Sequence, residues 1–76
     1  MDADKLVRMA NQIAAFFASE PDRRLAVEGV AGHLSRFWEP RMRRELLARF
    51  DSGEIDGMAD LVVEAVRTHR ADLQPR

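Results

Sequence analysis

Asp4-Lys-Leu-Val-Arg-Met-Ala-Asn-Gln-Ile-Ala-Ala-Phe-Phe-Ala-Ser-Glu-Pro21 places Leu6, Met9, Ile13, Phe16 and Phe17 three or four residues apart. An α-helix turns once per 3.6 residues, so this spacing gathers them into one apolar stripe. The stretch therefore predicts a helix over residues 4–18. Asp2 or Asp4 caps its start, where a carboxylate also meets the positive end of the helix dipole. Ala10, Ala14 and Ala15 favour the helix and let a neighbour come close. Ser19-Glu20-Pro21 ends it, because the residue before proline is pushed out of the α region.

Outward from there, every periodic stretch reads the same way. Residues 22–37 form a second helix, with Asp22 as cap and a stripe of Val27, Val30, Ala31, Leu34 and Phe37 or Trp38. Gly29 and Gly32 lie inside it, each costing roughly 0.8–1.0 kcal/mol relative to alanine. Close helix–helix contact over bare backbone compensates for them, or the helix breaks near Gly29. Glu39-Pro40 makes a corner, and Pro40 suits the first position of a third helix over residues 40–50, striped by Met42, Leu46 and Phe50. Gly53 ends that helix in a left-handed cap. A fourth helix is expected over residues 57–70, capped by Asp56 and buried through Met58, Leu61, Val62, Ala65 and Val66. No alternating β-type run occurs. The expected fold is all-α, a small bundle of three to four helices in a single domain over 1–76, with a frayed tail from about residue 71.

Composition narrows the chemistry. The 76 residues carry 12 basic and 13 acidic side chains, a net charge of −1, and no Cys or Tyr. Thiol catalysis, disulfides and thiolate metal sites are thereby excluded. The charge balance argues against binding nucleic acid or an anionic membrane. The early apolar run is far shorter than the ~20 residues of a membrane span, and a cytoplasmic location is expected. His33 and His69 are the only histidines and make no metal set. Asp51-Ser-Gly-Glu-Ile-Asp-Gly57 puts Ile55 where a calcium loop needs an oxygen ligand. Gly29-Val-Ala-Gly32 has neither the preceding strand nor the following lysine of a phosphate loop. No catalytic, cofactor or metal residues are expected.

Arg36-Phe-Trp-Glu-Pro-Arg-Met-Arg-Arg44 is the most informative segment, holding the only tryptophan and four arginines within nine residues. One reading is a structural corner; the other is a docking surface, since Trp and Arg are enriched at binding hot spots. A helix-turn-helix reading is opposed by Glu39 and Glu45, which interrupt the basic face.

Met9-Ala-Asn-Gln-Ile-Ala-Ala-Phe-Phe17, then Pro21-Asp-Arg23, then Arg36-Phe-Trp-Glu-Pro-Arg-Met-Arg-Arg44 resembles the delta subunit of NAD-dependent, molybdenum-containing formate dehydrogenase, over about residues 5 to 66. The resemblance implies a non-catalytic accessory subunit that supports assembly or stability of the complex. Its implied partners are the larger subunits, which carry a molybdenum pterin, iron–sulfur clusters and flavin, oxidise formate and reduce NAD. It transfers no catalytic residue and no cofactor site to this chain. The expected partner contact is formed or supported by Phe37, Trp38, Pro40, Arg41, Arg43 and Arg44, with Asn11 and Gln12 as further members. The rival readings are a small helical nucleic-acid-binding module and a homo-oligomeric regulatory adaptor.

Overall fold

A computed structural model describes residues 2–76, and all its regular structure is helical: α1 (Ala3–Phe17), α2 (Arg23–Phe37), α3 (Pro40–Asp51), α4 (Asp60–Thr68) and a single turn, α5 (Arg70–Leu73). The first three elements begin and end close to where local chemistry puts them. Asp2 caps α1 by accepting from the Lys5 N–H at 2.8 Å. Asp22 caps α2 by accepting from the Arg24 and Leu25 N–H groups. Pro40 occupies the first turn of α3. Gly53 follows that helix with φ of 82°, and the Gly53 and Glu54 N–H groups reach back to the Phe50 and Arg49 carbonyls. That pair of bonds satisfies carbonyls the helix end would leave open.

The core is apolar throughout and draws on every helix. Leu6, Val30, Leu34, Val62, Val66 and Leu73 are its largest fully buried side chains. α2 lies at the centre, packed against α1, α4 and α5, while α3 closes against α1 and α5. It runs unbroken through both glycines. A Cβ at Gly29 would stand 2.5 Å from the Phe17 ring, so the bare backbone there admits α1. Gly32 is different: its nearest neighbour is the Arg36 guanidinium on the same helix, at 3.3 Å. Only Gly29 fits the close-contact expectation.

Several expectations need correction, and one open alternative is settled. The α1 stripe is rotated: the core line is Leu6, Val7, Ala10 and Ala14, whereas Met9, Ile13 and Phe17 are half-buried and Phe16 is 77% exposed. Of the two alternatives for the last position of the α2 stripe, Phe37 or Trp38, it is Trp38 that enters the core, where the chain turns extended (ψ 138°) and the indole is buried.

The fourth helix starts at Asp60 and not at residue 57, and Asp56 does not cap it. The Asn11 amide does so from α1: its Oδ1 accepts from the Ala59 N–H at 2.9 Å, and its Nδ2 donates to the Gly57 carbonyl at 2.8 Å. The same expected helix also stops short of residue 70. It ends at Thr68, and His69 (φ −116°, ψ 30°) redirects the chain into α5. The expected frayed tail is therefore replaced, as far as Leu73, by a docked turn whose Leu73 is only 1% exposed.

Candidate functional site

The surface feature that the fold leaves open is a groove along the α1–α2 hairpin, about 460 Å³ in volume. Met9, Ile13, Phe16 and Phe17 of α1 form one wall, with the Gln12 amide among them. His33 of α2 faces them, and Trp38 closes the end. The wall exists because α1 carries two adjacent apolar lines. The Leu6, Val7, Ala10 and Ala14 line is spent on the core; the Met9, Ile13 and Phe16 line lies beside it and faces outward.

Aromatic rings define this groove. Phe16 packs edge-on against Phe17, with ring centres 5.1 Å apart, and His33 leans on Phe37 at 4.9 Å. Both arrangements are ordinary aromatic pair geometries. Phe16, Leu25 and Phe37 are the exposed large hydrophobic residues among those described, and all belong to this hairpin; Phe37 is 68% exposed. Leu25, Gly29, His33 and Phe37 recur every four residues and so follow an inclined ridge that turns about 120° around α2 from its first member to its last, with His33 the one that lines the groove. A second cleft of similar volume, between Ala3 and the end of α3, carries Glu45, Arg49, Ser52 and Glu54 in its lining. Its Arg49 is already engaged by Asp4 at 2.8 Å.

The residues of the expected contact are not one patch. Phe37 is exposed on the hairpin, Trp38 lies at the end of the groove, and Gln12 is in its wall. Pro40 and Arg41 are exposed at the corner. Arg44 borders a different cleft, with Asp51, Arg70 and Gln74. The Arg43 fork is occupied within the chain. Its Nη1 donates to the Ser35 and Trp38 carbonyls (2.9 and 3.1 Å) and its Nε to the Leu73 carbonyl at 3.1 Å. Arg43 thus ties the end of α2, the corner and α5 together. Asn11 likewise spends its amide on the α4 start.

Reading the sequence put Met9, Ile13 and Phe16 on the core stripe and so missed them as surface residues. The available signal was surplus: α1 has more large apolar residues than one core-facing line can hold. Among the described residues, Asp2 is the group whose titration is clearly shifted. The N–H of Lys5 holds its carboxyl below the usual carboxylate range, helped by the charge of Arg8. Among the described residues no cluster of three or more His, Cys, Asp or Glu side chains is placed to share a metal ion, and no helix is long and apolar enough to cross a membrane.

These features define a small all-helical protein whose open surface is an aromatic groove between its first two helices. Residues 5–66 of the 76 match the family described as NADH-dependant formate dehydrogenase delta subunit FdsD, and the chain belongs to that family. No curated protein and no solved structure matches it.

Proposed function

We propose that this protein is a non-catalytic accessory subunit that binds the larger subunits of an NAD-dependent formate dehydrogenase and supports assembly or stability of the complex. Membership of the delta-subunit family supplies the context. The observation that carries the reading is the α1–α2 groove, where Phe16 stands in solvent beside Met9, Ile13 and Trp38, with exposed Phe37 packed on the His33 that lines it. Monomeric proteins rarely leave a contiguous apolar patch of this kind uncovered unless it serves contact with something else. An ordinary protein interface takes about 800 Å² from each partner, roughly a sixth of the 4860 Å² surface of this chain. A subunit this small commits much of its exterior to a single contact.

Within this reading Phe37, Trp38, Gln12, Pro40 and Arg41 belong to or border the contact. Arg43 and Asn11 hold the shape of the surface, and Arg44 lies on a separate face. The test is co-purification. The tagged chain is co-expressed with the larger subunits, and the complex is compared with one made in its absence. Retention of the chain, together with a smaller or less stable assembly when it is missing, is the expected result. An assembly of equal size, stability and formate-dependent NAD reduction without it refutes the role.

A further inference from the structure

We infer that α5 is a strap hinged at His69: it opens by continuing α4 as a straight helix to Leu73, and in opening it loosens the corner that carries Trp38. The device belongs to the chain itself and needs no partner.

No local signal ends α4 at Thr68. From Asp60 to Leu73 the chain holds neither Gly nor Pro, and Pro75 is the first residue that a helix interior refuses. The break at His69 is nevertheless sharp. Its φ of −116° and ψ of 30° lie about 50° and about 70° from α-helical values. The bend also forfeits backbone bonds. Among the described residues the Arg70 and Ala71 N–H groups have no backbone acceptor. A continuous helix gives them the Val66 and Arg67 carbonyls, four positions back.

What holds the bend is tertiary. Leu73 plugs a socket lined by Leu34, Leu46 and Leu47, and its carbonyl accepts from the Arg43 Nε at 3.1 Å. Arg70 reaches Asp51 at 2.6 Å, but both side chains are partly open to solvent, where an ion pair contributes little. The contact between His69 Nδ1 and the Asp72 carboxylate, at 3.4 Å, ties the strap only to its own hinge. Against these stands the other Arg70 nitrogen, Nη1, which is buried with no hydrogen-bond partner. An orphaned donor penalises the state that buries it. A single turn of four residues also has no helical stability of its own. One leucine and one carbonyl thus oppose the hydrogen bonds that a straight helix regains, and the two forms exchange.

Opening reaches beyond the tail. The Arg43 guanidinium joins the Leu73 carbonyl to the Ser35 and Trp38 carbonyls. Release of Leu73 uncovers the three leucines of the socket and takes one acceptor from Arg43. Trp38, which closes the end of the α1–α2 groove, then sits on a segment that Arg43 holds without its anchor in α5.

The experiment is nuclear magnetic resonance on the full chain, with two variants. Leu73→Ser removes the plug, and His69→Ala favours the helix at the hinge while keeping Leu73. In Leu73→Ser the Cα shifts of His69 to Asp72 should move to helical values, the Arg70 and Ala71 amides should gain protection from exchange, and the Trp38 indole signal should move. In His69→Ala the same signals should travel part of the way in the same direction, so the second variant decides the matter if the first fails to fold. Protection of the Val62 and Val66 amides shows that the body of the protein is intact. Shifts at residues 69–72 that go to random-coil values mean an end that merely frays, and overturn the inference. Shifts that stay in place in both variants overturn it as well, as does an indole signal unmoved while the helix straightens.

Discussion

Gly29 and Gly32 offer a paired test of how α1 sits on α2. Both lie in the interior of α2, so replacement by alanine carries the same intrinsic gain, about 0.8–1.0 kcal/mol. Their surroundings differ. At Gly32 the added methyl meets the mobile end of Arg36 at 3.3 Å, and that side chain is free to give way. Gly32→Ala is therefore expected to stabilise the protein by close to the full propensity gain, raising the melting temperature by about 4–6 °C for a domain of this size. At Gly29 the methyl would lie 2.5 Å from two carbons of the Phe17 ring. Carbon atoms pack at about 3.5–4.0 Å, so the ring or α1 must retreat by about 1 Å. Overpacking of that kind costs about 1–3 kcal/mol. Gly29→Ala should thus end up neutral to destabilising by about 2 kcal/mol, well below its neighbour. Thermal melts followed by circular dichroism measure both. The decisive comparison is a cycle with Phe17→Ala, since in that background the obstacle is gone and Gly29→Ala should recover its stabilising sign. Equal stabilisation by the two alanines in the wild-type background, or no change of sign without Phe17, refutes this account of the α1–α2 contact.

Other outcomes follow from single side chains. Arg43→Met removes the donor to three carbonyl groups and should destabilise by about 2–3 kcal/mol in urea unfolding, whereas Arg41→Met, at an exposed position, should stay within about 0.5 kcal/mol. Asn11→Ala takes away the cap of α4 and should cost about 1–2 kcal/mol, with the Ala59 amide losing its protection in hydrogen exchange. Asp2 has a folded-state pKa below its unfolded value. Its contribution is therefore complete above the ordinary carboxylate pKa, near 3.9, and disappears as pH falls through the lower folded value. In Asp2→Asn this acid-side decline should be missing from the chemical shift of the Lys5 amide across a pH titration.

What could be read from the residues alone was the local chemistry. Asp22, Pro40 and Gly53 each act within a few residues of themselves, and each marks an element boundary in the structure. The errors came where distance decides. The start of α4 is fixed by Asn11, 48 positions from the amide it caps, and no neighbour of Asp56 or Ala59 announces that. Leu73 lies in the tail expected to fray, yet the break at His69 delivers it onto α2 and α3. In α1 the period was right and the phase wrong. Periodicity reports that apolar residues share a side of a helix but is blind to which part of that side is covered. The larger residues were the natural choice for the core, yet close packing of α1 required Ala10 and Ala14 there and left Phe16 outside. The docking surface was placed at the corner for the same reason: Trp38 and the arginines stand out by type, while the neighbouring groove is made of commonplace residues whose exposure only the fold reveals.

Ala10 and Ala14 also act as a spacer gauge for the molecule. They are buried beneath α1, so any larger side chain there would lift the helix off its bed and carry the Met9, Ile13 and Phe16 wall outward with it. The breadth of the slot presented to a neighbour is thus written in two methyl groups that never touch that neighbour. A surface tuned in this way can drift in fit through changes on its hidden underside, while every residue at the mouth stays the same.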